Sequence, residues 1–141
     1  LQCWYADEGC NYKYSGKMLE RNNWHPTLLE IKSSIEFITS QKYNSVLANY
    51  YRDGSDSMGW HSDDESMLDK DSAIASVSLG QERPLHFKHK NQDISFAIDQ
   101  SHGSVIVMDG DTQKYWKHCI KKSKKLMKPR LNLTFRTIIT A

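Results

Sequence analysis

The chain has 141 residues, 38% of them hydrophobic and 11% aromatic, which suffices for one well-buried core and is short for two. Its formal net charge of +2 is close to neutral, yet acidic residues crowd the stretch from Asp53 to Asp71 and none follows Asp111, so the basic C-terminal third is the place for an anionic partner. No apolar run approaches bilayer length, and no N-terminal segment has the pattern of a secretion signal, so a soluble, unsecreted protein with no membrane partner is expected.

The first predicted element is an amphipathic helix over residues 26–41. Leu28, Leu29, Ile31, Ile35 and Ile38 recur there at helical spacing and Pro26 suits the first turn. Short β-type runs follow over residues 46–51, 74–79, 85–89, 94–98, 104–108 and 131–139, with a strand-like stretch at 114–120. They are separated by turn residues such as Asp53-Gly54, Gly80, His102-Gly103 and Asp109-Gly110. Many short strands after one helix, without a βαβ rhythm, predict a mainly β (α+β) sandwich or jelly roll. Cys3, Cys10 and Cys119 lack the spacing of a zinc site or a disulfide framework and read as reduced thiols of an intracellular compartment.

Two constellations carry chemistry. In His61-Ser62-Asp63 the alternate residues of an extended segment point the same way, so a metal could bridge His61 and Asp63; His118 is the best candidate for a distant third ligand. Two imidazoles and a carboxylate leave open positions on an octahedral Fe(II) for a co-substrate and O2. By itself the His-x-Asp pair also fits a surface loop. The second constellation is residues 130–136, where strict alternation puts Arg130, Asn132, Thr134 and Arg136 on one face and Leu131, Leu133 and Phe135 on the other. That pattern suits a strand with one wet face, and equally two arginines clamping a small dicarboxylate, with Asn49 and Tyr51 completing the pocket. An iron site and a dicarboxylate clamp together specify 2-oxoglutarate.

In this order Asn49-Tyr50-Tyr51, Trp60-His61-Ser62-Asp63-Asp64-Glu65, His102-Gly103-Ser104, His118 and the run from Pro129 through Arg136 resemble the AlkB family, in particular its DNA-dealkylating members. The resemblance spans essentially the whole chain. It implies a double-stranded β-helix, a jelly-roll variant with the N-terminal helix packed on it, and Fe(II) on His61, Asp63 and His118. It further implies that Arg130, Tyr51 and Asn132 take the distal carboxylate of 2-oxoglutarate while Asn49 and Arg136 sit by the carboxylate next to the keto group. Asp64 would partner an arginine.

The implied activity is oxidative removal of alkyl groups from bases such as 1-methyladenine and 3-methylcytosine in alkylated DNA (or RNA), with formaldehyde leaving. The base would be flipped out of its stack. Tyr12, Tyr14 and Ser15 match the family's pocket wall and Glu65 its contact with the base edge. Lys121, Lys122, Lys124 and Lys125 fall in a basic run suited to backbone phosphates. Residues 1–141 are expected to be a single catalytic domain and a monomer, in the cytoplasm of a bacterium or the nucleus of a eukaryote. A nucleotide-recognition lid would precede Leu1. Two further readings use the same residues: a dioxygenase of proteins or small molecules, and a nucleic-acid-binding jelly roll without catalysis.

Overall fold

The computed structural model describes residues 1–14 and 16–140; Ser15, one of the expected pocket residues, lies outside the described residues, as does Ala141. The chain runs β1 (Gln2–Ala6), β2 (Lys13–Tyr14), β3 (Lys17–Met18), β4 (Arg21–Asn22), α1 (Pro26–Thr39), β5 (Ser45–Tyr51), β6 (Met58–His61) and β7 (Ile74–Gly80). It continues through β8 (Arg83–His89), β9 (Ser95–Gln100), β10 (Ser104–Met108), α2 (Gly110–Tyr115), β11 (Trp116–Ile120) and β12 (Arg130–Arg136). Among the described residues the strands form a major sheet ordered β10-β7-β12-β5-β1-β4, a minor sheet ordered β6-β11-β8-β9, and the small β2-β3 hairpin. The expected jelly roll is this pair of sheets.

Alternation along β12 decides which residues meet which layer. Leu133 and Phe135 point outward with Val46, Ala75 and Val77 and pack against Ile35 of α1 and Tyr43. The opposite face of the same sheet joins Trp4, Leu47, Tyr51, Ile74 and Met108 to Leu85, Phe87 and Ile120 of the minor sheet. Burying side chains of this size contributes roughly 1.5–3 kcal/mol each. Arg130, Asn132, Thr134 and Arg136 therefore lie between the two sheets, paired in register with Tyr51, Asn49, Leu47 and Ser45 of β5.

Helix α1 is narrower in its buried face than expected. His25 caps it, its Nδ1 accepting the Thr27 N–H at 3.1 Å, and Ser40 ends it at φ 54, two residues before the expected limit. Leu28, Ile31 and Ile35 pack on the sheet, whereas Leu29 and Ile38 are 43% and 66% exposed, because a stripe at i, i+3, i+7 leaves those two on the far side.

A second correction concerns residues 114–120, where the strand begins only at Trp116. Asp109 accepts the N–H groups of Asp111 and Thr112 and starts the short helix α2. The strand expected to reach residue 139 stops at Arg136, and beyond it the chain makes an isolated Leu68–Ile138 bridge. Cys3, Cys10 and Cys119 are all free. Among the described residues no helix is long and apolar enough to cross a membrane.

Candidate metal and carboxylate site

His61 and His118 are cross-strand partners in the minor sheet, and their rings lie 4.3 Å apart between centroids. Between His118–His61 and Ile120–Met58 the register slips by one residue, a bulge that sets Gly59 and Trp60 together against Cys119. The bulge turns the Gly59 carbonyl back onto His61 Nδ1 at 2.8 Å. A carbonyl only accepts, so Nδ1 carries a proton and Nε2 is the nitrogen turned toward Asp63.

Asp63 follows the end of β6 and is 5% exposed. Its Oδ1 lies 3.9 Å from His61 Nε2 and its Oδ2 lies 3.9 Å from His118 Nε2. One ligand atom from each of the three residues falls within 4.8 Å of the others. The backbone that presents Asp63 is pinned from both sides: Ser62 Oγ donates to the Trp116 carbonyl at 2.7 Å, and the Asp63 N–H donates to Gln113 Oε1 at 2.8 Å. Gln113 is itself buried on α2.

The protonation states suit a metal. Burial raises the Asp63 carboxyl, but the Arg136 guanidinium, the largest of the opposing influences, acts against it by charge and hydrogen bond, and the group is held below its ordinary value, as a carboxylate. Burial, reinforced by His61 and Arg136, pushes His118 down to about 4, so its imidazole is neutral near neutral pH. Arg136 Nη2 sits 3.1 Å from Asp63 Oδ2. Burial alone would weaken the Arg136 cation, and the Asp63 carboxylate more than offsets that. The partner foreseen for an arginine was Asp64. The structure instead turns Asp64 outward to solvent and buries Asp63, because the chain leaves the sheet after His61.

The β12 face supplies the rest of the cavity. Arg130 is 2% exposed, donates from Nε to Ser78 Oγ at 2.8 Å, and lies with its guanidinium 5.1 Å from the Tyr51 ring centroid. Arg83 also approaches that ring, 5.6 Å from its centroid, and donates to the carbonyls of Asp53, Asp56 and Lys121. Asn132 donates to Ser76 Oγ and to the Val77 carbonyl, and Thr134 donates to Asn132 Oδ1 at 2.9 Å, so both side chains are held in place by the sheet. Asn49, Tyr51, Arg130, Asn132, Thr134 and Arg136 line one cavity with His61, Asp63 and His118. Arg130 Nη1 and the Nε and Nη1 of Arg136 are buried without a hydrogen-bond acceptor among the described residues. Donors of this kind are costly to leave unpaired and match carboxylate oxygens.

Of the residues expected to hold a base, Tyr14 lines this cavity, its ring edge-on to His61 at 6.4 Å. Tyr12 does not. It precedes β2 and is fully buried among Trp4, Tyr14 and the Arg136 guanidinium, because packing against Trp4 draws its ring into the core behind Tyr14. Glu65 is half-buried near Asp63; burial and that neighbouring charge raise its carboxyl, and its Oε2 has no partner among the described residues. Lys121, Lys122, Lys124 and Lys125 are exposed. Sequence reasoning missed Gln113, Ser76, Ser78 and Arg83. The serines had a signal, since they alternate with Ala75 and Val77 along β7, and the Asp109 cap announced the helix that carries Gln113.

A jelly roll holding two imidazoles and a carboxylate beside buried, unsatisfied arginine donors is the arrangement of the mononuclear-metal oxygenase class that uses a carboxylate co-substrate. A family profile described as the 2OG-Fe(II) oxygenase superfamily matches residues 2–136, and the chain belongs to that superfamily. Similar curated relatives carry the AlkB name, as the sequence motifs anticipated. Alpha-ketoglutarate-dependent dioxygenase alkB homolog 3 of Bos taurus is 40% identical over 98% of this chain and 51% of its own length. DNA oxidative demethylase ALKBH2 of Homo sapiens is 38% identical over 98% of this chain and 56% of its own length. The chain thus spans about half the length of the curated relatives it matches. In three dimensions it is similar to a solved chain titled "The structure of OsALKBH1", with a TM-score of 0.64 at 21% identity, covering 86% of this chain and 67% of that one, a likeness of fold.

The superfamily's Fe(II) and 2-oxoglutarate fit the residues present. The donor set is two imidazoles and a carboxylate, the three-ligand facial set of non-haem Fe(II) oxygenases, and the orphaned guanidinium donors suit the two carboxylates of the keto diacid.

Proposed function

We propose that this chain is the catalytic part of an oxidative dealkylase acting on alkylated nucleic-acid bases, with 1-methyladenine and 3-methylcytosine in DNA as its substrates and an intracellular site of action. The observation that carries the reading is that the His61, Asp63 and His118 ligand atoms and the free guanidinium donors of Arg130 and Arg136 open onto one cavity. The names of the similar relatives, a DNA oxidative demethylase among them, support the substrate class.

In this reading His61, Asp63 and His118 would hold Fe(II), and Arg130, assisted by Tyr51 and Asn132, would hold the distal carboxylate of 2-oxoglutarate. Asn49 and Arg136 would lie by the carboxylate next to the keto group. When bound, iron with 2-oxoglutarate and O2 supplies the oxidation: one oxygen atom ends in succinate, CO2 leaves, and the other hydroxylates the N-alkyl carbon, which departs as an aldehyde. The chain's own work is placement. Gly59 fixes which nitrogen His61 offers, Gln113 fixes the Asp63 backbone, and the Arg136 cation keeps Asp63 ionised. Tyr14 at the cavity wall would flank a flipped base, and the unpartnered oxygen of Glu65 would meet its hydrogen-bonding edge, where negative charge favours a cationic lesion. Lys121, Lys122, Lys124 and Lys125 would contact phosphates.

The test is mass spectrometry of oligonucleotides bearing 1-methyladenine or 3-methylcytosine, incubated with the iron-loaded protein, 2-oxoglutarate and ascorbate. The reading expects loss of one methyl group with stoichiometric succinate. Unchanged mass with iron demonstrably bound would overturn it.

A further inference from the structure

The outer surface of the minor sheet carries a charge arrangement that its own fold penalises. Lys117 of β11 and Lys88 of β8 are direct cross-strand partners and both are exposed. Like charges in that register repel. Lys121, just past the end of β11, is exposed as well, and the ammonium groups of Lys88 and Lys121 lie 4.4 and 5.9 Å from the ring centroid of Trp60. No carboxylate pairs with any of these three lysines among the described residues.

Trp60 itself is 37% exposed, an indole presented to solvent on the edge strand of the sheet. Among the described residues it belongs to neither hydrophobic cluster. Its place follows from the site, because the bulge that orients His61 inward leaves Trp60, the preceding residue, facing out. An aromatic ring flanked by two lysines that no carboxylate neutralises is a combination that binds single-stranded nucleic acid, the ring stacking on a base and the ammonium groups meeting phosphates.

We propose that Trp60, Lys88, Lys117 and Lys121 form a track for the sugar–phosphate backbone of a single-stranded nucleic acid. The inference rests on the nucleic-acid reading above and adds the path of the strand: from the cavity, over edge strand β6, onto the outer face of the minor sheet. Phosphates between Lys88 and Lys117 remove the repulsion the free protein carries, and Trp60 stacks a base next to the one in the cavity. The track reads no base edge, so it is indifferent to sequence.

The experiment is fluorescence anisotropy with a dye-labelled, unmodified oligothymidine titrated with the protein over a series of salt concentrations. Replacing Lys88 and Lys117 by Gln together lowers the magnitude of the log-affinity against log-salt slope by about 1.4, roughly 0.7 for each phosphate left without its lysine. Trp60→Ala weakens binding about fivefold or more at fixed salt and leaves the slope as it was. Lys117→Gln alone does not lower the thermal midpoint, as expected for a residue whose packing role is only repulsive. A double variant that binds with the wild-type slope overturns the track, and so does equal displacement of the oligonucleotide by polyglutamate of matched charge, which would indicate an acidic protein partner. If the slope falls only when Lys122, Lys124 and Lys125 are neutralised, the strand lies on the loop; the track fails while the dealkylase reading stands. No binding to any oligonucleotide, with metal and 2-oxoglutarate bound normally, sinks both.

Discussion

Arg136 Nη2 lies 3.1 Å from Asp63 Oδ2, and the two residues are 3% and 5% exposed, so an ion pair sealed between the two sheets joins the carboxylate clamp to the metal triad. Removing one partner of such a pair leaves the other charge buried and uncompensated, which costs about 3–5 kcal/mol. Arg136→Met is therefore expected to lower the unfolding free energy of the metal-free protein, read from urea titration, by that order. Added divalent metal restores part of the loss, because the ion supplies the missing positive charge at Asp63. Equal losses with and without metal would separate Arg136 from the triad.

Gln113 touches no ligand atom, yet its Oε1 accepts the backbone N–H of Asp63. Gln113→Ala should weaken divalent-metal binding about 10–100-fold, the range seen when groups orienting metal ligands are lost. A competitive titration with a metal-sensitive dye reads this directly, and unaltered affinity would reduce the hydrogen bond to simple packing.

Arg130→Ala should raise the 2-oxoglutarate concentration needed for half-saturation while leaving metal affinity near wild type. A charge-assisted pair is worth roughly 1.5–3 kcal/mol, so the shift is on the order of tenfold or more. Ser78→Ala, which removes only the acceptor that holds Arg130 Nε, should move it less. Calorimetric titration of 2-oxoglutarate into the metal-loaded variants orders the two effects; an equal or reversed order would place the clamp elsewhere.

Glu36 near the end of α1 accepts the Tyr43 N–H at 2.9 Å and pairs with Lys32 at 3.1 Å. Burial raises its carboxyl, but those partners outweigh burial and hold it below its ordinary value. A depressed folded pKa stabilises the fold above the unfolded value and loses that contribution as pH falls through the folded one. Glu36→Gln should thus lower the thermal midpoint near neutral pH, with the difference from wild type closing in acid below the ordinary carboxylate range. A gap that stays constant into that range would mean the ionised form contributes nothing.

Much of this molecule was legible because alternation along a strand is a local property. The period-two pattern of residues 130–136 placed Arg130 and Arg136 on one face and Leu133 and Phe135 on the other, and the sheet realises both. His61, Asp63 and His118 were likewise readable as a set, once their residue types were matched to Fe(II) chemistry. Gln113, Ser78 and Arg83 were not, because their roles depend on which elements become neighbours in space; Gln113 meets Asp63 across 50 residues of chain, and Arg83 meets the Tyr51 ring only once the two sheets face each other. The burial of Tyr12 was not legible for a related reason. Sequence spacing near a turn does not tell which of two tyrosines faces the cavity, and packing against Trp4 took Tyr12 into the core.

The proposed chemistry stands on His61, Asp63 and His118 sharing one iron atom next to a slot for 2-oxoglutarate. Anaerobic titration of Fe(II) into the protein with 2-oxoglutarate, followed by visible absorption, tests it most directly, since a keto acid chelated to Fe(II) gives a metal-to-ligand charge-transfer band. The expected band saturates at one iron per chain, disappears in His118→Ala, and demands more 2-oxoglutarate in Arg130→Ala. A folded wild-type protein that develops no such band, or a band that survives unchanged in His118→Ala, would contradict it.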